Sequence, residues 1–97
     1  MPEFVSFDSR QELCQKMATN LSTLRAKANI TQEELADKLG LSRQTISAVE
    51  NEKREMSWST FSVLVMFFVK DDEIRQHMIV MGIMNDDVDR FFNISAK

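Results

Sequence analysis

The chain has one cysteine, Cys14, so no intramolecular disulfide can close and no Cys/His cluster is available for a structural zinc site. That usage points to a reducing, cytoplasmic setting. Long apolar runs are missing too: the longest, residues 63–69, spans seven residues against the roughly 18 needed to cross a bilayer. The opening MPEFVSFDSR lacks the basic start and apolar stretch of a secretory signal. The expected protein is neither secreted nor membrane-spanning. Two Gly and one Pro among 97 residues supply too few turn-formers for a many-stranded sandwich or barrel, whereas Leu, Ala, Met, Glu, Gln and Lys are plentiful. The composition predicts an all-α fold.

A strong positive charge is also absent. The net charge is −3, which argues against indiscriminate nucleic-acid binding, but the sum hides a gradient. Residues 25–54 carry six positive and five negative side chains, while residues 71–97 carry three and six. The acid is concentrated at the C-terminal end. No repeat or linker-like stretch divides the chain, so one domain over residues 1–97 is expected, with a core over 9–70 and a C-terminal helical extension over 71–97.

What is present is a series of helix starts and stops. Ser9 with Glu12 reads as a capping box, and Leu13, Met17, Leu21 and Leu24 recur at helical spacing, which predicts a first helix over 10–28. Thr31 with Glu34 repeats the box before a second helix over 32–39, ended by Gly40. Ser42 caps a third over 43–51, with Ile46 and Val49 on its inward face. Ser57 caps a fourth over 58–70, Asp71 and Asp72 precede a fifth over 73–81 ended by Gly82, and Asn85 caps a short sixth carrying Val88, Phe91 and Phe92. The result is a compact bundle of five to six helices. Residues 56–94 hold 21 apolar side chains among 39, more than one side of a small core needs, so both faces of the 63–69 run should be covered.

The pair of short helices in QEELADKLG-LSRQTISAVEN obeys a tight steric pattern. Ala36 is small where the helices cross, Gly40 takes the turn, and Leu35, Leu39, Leu41, Ile46 and Val49 face inward. Arg43, Gln44, Thr45 and Ser47 are left outward on the second helix, with Asn51, Lys53 and Arg54 at its exit. Such a pair can cross a sugar-phosphate backbone with its first helix and insert the start of the second into a major groove. Arg can give two donors to guanine O6 and N7, and Gln a donor and an acceptor to adenine N6 and N7. Lys53 and Arg54 can hold phosphates without reading sequence.

Over residues 18–69, and especially in LRAKANITQEELADKLGLSRQTISAVENEKR, the sequence resembles the phage-repressor and Cro-like helix-turn-helix regulators, the XRE family. The resemblance implies a lambda-repressor-like DNA-binding domain that acts as a dimer on a palindromic operator. By position it implies that Arg43 and Gln44 read bases and that Ser47 and Ala48 face the groove. Gln32, Ser42, Thr45, Asn51, Lys53 and Arg54 would then belong to the DNA-contacting set, mainly at phosphates. It also implies a structural ion pair between Arg25 and Glu50. Glu52 departs from the pattern, standing where the family often has Gly, and its carboxylate should weaken phosphate binding or turn outward. The tail beyond about residue 70 has no family template.

Other assignments fare less well. Nothing brings Cys14 and His77 together as nucleophile and base, and the acidic triplets Asp71–Asp72–Glu73 and Asp86–Asp87–Asp89 lack the spacing of a calcium loop. No enzyme activity, metal or cofactor is expected. The partners expected are double-stranded DNA and a second copy, with the apolar C-terminal region available for a protein partner. Two rival readings share the same residues. One is an antitoxin or restriction-system controller that grips another protein; the other is a helix-turn-helix-shaped interaction module that no longer binds DNA.

Overall fold

A computed structural model describes residues 6–92. The described residues form six helices and no strand: α1 (Phe7–Ala28), α2 (Gln32–Leu39), α3 (Arg43–Glu50), α4 (Trp58–Phe68), α5 (Asp72–Met81) and α6 (Asp86–Phe92). Five of the expected helices start where their caps stand, to within one residue. The Thr31 hydroxyl accepts the Glu34 N–H while the Glu34 carboxylate accepts the Thr31 N–H, completing a reciprocal box. Ser42, Ser57, Asp71 and Asn85 each accept a backbone N–H three residues on.

The first helix differs from expectation. Ser6, not Ser9, is its cap: the Ser6 hydroxyl accepts the Ser9 N–H at 3.2 Å, so Ser9 lies inside the first turn and no Ser9–Glu12 box forms. Both serines can cap, and the earlier one lets the helix gain another turn of backbone hydrogen bonds. Glu12 instead pairs with Lys16 one turn later. At the other end, Asn29 adopts the left-handed conformation at φ 56°, and the N–H groups of Asn29 and Ile30 close back on Ala26 and Arg25.

The 22-residue α1 is the spine of the molecule, packing against α3, α4 and α5. Its inward stripe, Leu13, Met17, Leu21 and Leu24, is buried, with Cys14 and Ala18 beside it. Leu35 and Ala36 of α2, Ile46 and Val49 of α3, Phe61, Leu64, Val65 and Phe68 of α4, and Ile74 and Met78 of α5 join them in one core. Each of the larger apolar side chains contributes about 1.5–3 kcal/mol by leaving water. Ile83, Met84 and Val88 extend that core under α6.

The C-terminal end is held by aromatic contacts. Trp58, the first residue of α4, stacks on Phe61 at 4.7 Å and meets the edge of Phe91 at 5.8 Å, with Phe92 at 5.9 Å. The Arg10 guanidinium lies over Trp58 and Phe91, which ties α1, α4 and α6 together. An Arg75–Asp89 ion pair at 3.0 Å adds a polar link from α5 to α6.

The apolar run over 63–69 is covered on one side only. Leu64, Val65 and Phe68 are buried, but Val63 and Met66 remain exposed. A helix turns 100° per residue, so a continuous apolar run must point some of its side chains away from the single core of a small bundle. On α5, Ile79 is partly exposed and Val80 is 86% exposed. Among the described residues, no helix is long and apolar enough to cross a membrane, and no three His, Cys, Asp or Glu converge to hold a metal ion.

Candidate nucleic-acid interface

The turn between α2 and α3 is built from Gly40 and Ser42. Gly40 sits at φ 71°, and a Cβ placed there would meet nothing within 4 Å. Glycine is therefore favoured by the backbone angle, not by a lack of room. The next N–H, that of Leu41, returns to the Ala36 carbonyl at 2.9 Å and closes α2. Ser42 then opens α3 by accepting the Thr45 N–H at 3.1 Å, and its hydroxyl lies 2.8 Å from that of Thr45.

The two faces of α3 have opposite character. Ile46 and Val49 are buried, while Arg43 and Gln44 in the first turn are exposed. Thr45, Ser47 and Ala48 are half-buried, and Asn51 donates to the Ser47 hydroxyl at 3.4 Å. Lys53 and Arg54 follow on an exposed loop. Among the described residues, Arg43, Gln44, Lys53 and Arg54 make no side-chain hydrogen bond or ion pair, which leaves their donors available to a ligand.

An ion pair anchors the far end of α3. Arg25 Nε and Nη2 grip the two oxygens of Glu50 at 2.5 and 3.1 Å, and Arg25 Nη1 donates to the Ile30 carbonyl at 3.1 Å. The side chains are 18% and 7% exposed, so this fork is largely withdrawn from solvent. The hydrogen bond from Arg25 to Glu50 pushes the guanidinium pKa up, and the carboxylate charge adds to that shift against the opposing cost of burial. Arg25 is fully charged at any working pH.

Gln32 joins the same network, donating from Nε2 to Glu50 Oε1 at 2.9 Å. The structure therefore gives its side chain a partner inside the protein, linking the start of α2 to the end of α3. Neither the helix caps nor the apolar period could indicate this contact, because it joins residues 18 positions apart on different helices. Gln15 on α1, unlike Gln32, was not singled out by the sequence. Its Nε2 donates to Glu52 Oε1 at 3.0 Å across 37 residues.

Glu52 has an unusual backbone. The N–H of Glu52 returns to Val49 and that of Lys53 to Ala48, closing α3 with the left-handed residue at Glu52, φ 57°. A side chain in that conformation costs about 1 kcal/mol, which is why a glycine is favoured at such positions. The carboxylate turns aside onto Gln15 of α1.

A short helix, a glycine turn and a second helix with a polar outward face define a helix-turn-helix protein. Comparison with known proteins agrees: the family described as helix-turn-helix matches residues 21–60. An uncharacterised helix-turn-helix-type transcriptional regulator of Methanocaldococcus jannaschii is 46% identical over 59 residues, which cover 60% of this chain and 89% of that protein. No solved structure matches the chain. The chain belongs to the XRE family of helix-turn-helix transcriptional regulators.

Proposed function

We propose that the protein is a dimeric repressor that places the first turn of α3 in the major groove of a palindromic DNA operator. The observation that carries this reading is the contrast on α3 and its exit loop: the apolar and ionic contacts hold the helix from behind, while Arg43, Gln44, Lys53 and Arg54 face solvent without internal partners. Arg43 pairs with guanine O6 and N7, and Gln44 with adenine N6 and N7. Ser47 and Ala48 face the groove one turn later. Ser42, Thr45, Asn51, Lys53 and Arg54 contact the backbone, joined by the start of α2 at Gln32.

Two copies are needed because each supplies few phosphate-binding cations. Val63 and Met66 of α4 and Ile79 and Val80 of α5 are apolar side chains left in water, and they support a seam between copies. Half-sites would then lie about one helical turn, ~34 Å, apart.

Fluorescence anisotropy with a selected operator and a random duplex, over a salt series, tests the assignment. Arg43→Ala should weaken operator binding by roughly 1–3 kcal/mol per half-site and change random binding little. Lys53→Ala should weaken both and reduce the salt slope by about one per binding unit. Equal losses on both duplexes for Arg43→Ala would remove it from the base-reading role.

A further inference from the structure

Residues 11, 14, 15 and 18 are spaced i, i+3, i+4 and i+7, so Gln11, Cys14, Gln15 and Ala18 form a single stripe of α1. The loop that leaves α3 is tied to this stripe by the Gln15–Glu52 hydrogen bond at 3.0 Å and is anchored at its end by the buried Met56. Cys14 and Ala18 are small side chains and leave space beneath the loop. What remains is a cavity of about 340 Å³ between helix and loop, at the small end of the roughly 300–1,000 Å³ typical of ligand sites. Its floor is apolar, built from Cys14, Ala18 and Met56, each 7% exposed. Its exposed rim carries Gln11, Arg54 and Glu55, whose side chains make no hydrogen bond or ion pair among the described residues. An apolar floor below a few unpaired polar groups is the pattern of a small-molecule site.

We propose that this cavity binds a free amino acid with a small apolar side chain, whose carboxylate pairs with Arg54 and whose ammonium pairs with Glu55 while the side chain lies on the floor. Charge selects this class of ligand. A simple anion would meet the Glu52 and Glu55 carboxylates on the cavity wall, and a simple cation would meet the Arg54 guanidinium; a zwitterion satisfies both signs at once. Gln11 offers both a donor and an acceptor and so suits either end of the ligand. The consequence for DNA rests on the proposed function. An Arg54 held by the ligand is withdrawn from the phosphate backbone, so ligand and duplex oppose each other, each weakening the other by the same factor.

The test is an NMR titration of the isotope-labelled full chain with L-valine, L-leucine and L-methionine at millimolar concentration, read from backbone amide shifts. Isoamylamine, which is leucine without its carboxylate, and isocaproate, which is leucine without its ammonium, serve as controls. The expected result is saturable shifts centred on residues 11–18 and 52–56, given by an amino acid and by neither control. Arg54→Gln and Glu55→Gln change exposed positions and should leave the fold intact while each weakens that binding roughly tenfold. Shifts from none of the three amino acids, or equal shifts from either control, overturn the site. Fluorescence anisotropy in saturating amino acid should show weaker binding to operator and random duplexes alike, with the salt slope reduced by about one per binding unit, and Arg54→Gln should lose that response. An unchanged slope overturns the antagonism. If the wild-type chain binds no duplex at low salt, the DNA-binding reading fails and takes the antagonism with it, while the titration still decides the site.

Discussion

The Cys14 thiol is buried between α1 and the start of α4, with Sγ 3.8 Å from the Ser57 carbonyl. Burial disfavours the thiolate and, although the Arg10 charge pulls the other way, raises the pKa from 9.0 to about 11. The consequence for stability follows from linkage. Between about pH 9 and pH 11 the unfolded chain gives up this proton and the native chain keeps it, so stability falls as pH rises through that window. Thermal melts of the wild type and Cys14→Ala should therefore converge, or cross, across that range, since only the wild type carries the extra loss. Parallel melting curves against pH would show that the thiol does not titrate on unfolding. Reading the sequence, one could place Cys14 near the core from the period Leu13, Met17, Leu21, Leu24; its carbonyl neighbour is 43 residues away and is set by how α4 packs.

At the scale of the element, α3 is only eight residues long and cannot hold itself together in water. Its order comes from Ile46 and Val49 beneath it, the Ser42 cap at its start and the Arg25 fork at its end. Arg25→Ala would leave Glu50 largely buried with Gln32 as its remaining partner. The expected loss is about 3 kcal/mol, the scale for breaking a mostly buried pair from one side. For a domain of this size that lowers the melting temperature by roughly 10–20 °C. Glu50→Ala in the Arg25→Ala background should then cost far less than it does alone, and additive losses would show that the two side chains do not act as a pair. Position along the chain was enough to suggest the Arg25–Glu50 pair, through the family resemblance. The addition of Gln32 was not, because the outward or inward aim of a residue in the first turn depends on the angle between α2 and α3.

At the scale of the whole molecule, Val63, Met66, Ile79 and Val80 leave apolar surface in water. The proposed dimer predicts sedimentation at twice the 11.2 kDa mass of one chain, and it predicts that Met66→Glu or Val80→Glu shifts the protein to monomer. Both positions face solvent in the isolated chain, so neither change should unfold it; retained helical signal with halved mass is the expected result. A wild-type monomer at operator-binding concentrations would exclude a preformed dimer. The surplus of apolar residues beyond position 55 was visible in composition alone. Which of them lie in the core was not, because Val63 and Leu64 are adjacent in sequence and opposite in fate.

The sequence by itself determined the helix starts from Thr31 onward, the glycine turn, the inward stripe of α1 and the residue types on the outer side of α3. These are local facts: a cap bonds three residues on, and a helical face repeats every 3.6 residues. Tertiary structure alone decided the contacts between Gln32 and Glu50 and between Gln15 and Glu52, the seating of α6 on Trp58, and the exposure of Val63 and Met66. Each depends on the separation and crossing angle of helices far apart in the chain, quantities set by the joint packing of the core and not by any one segment.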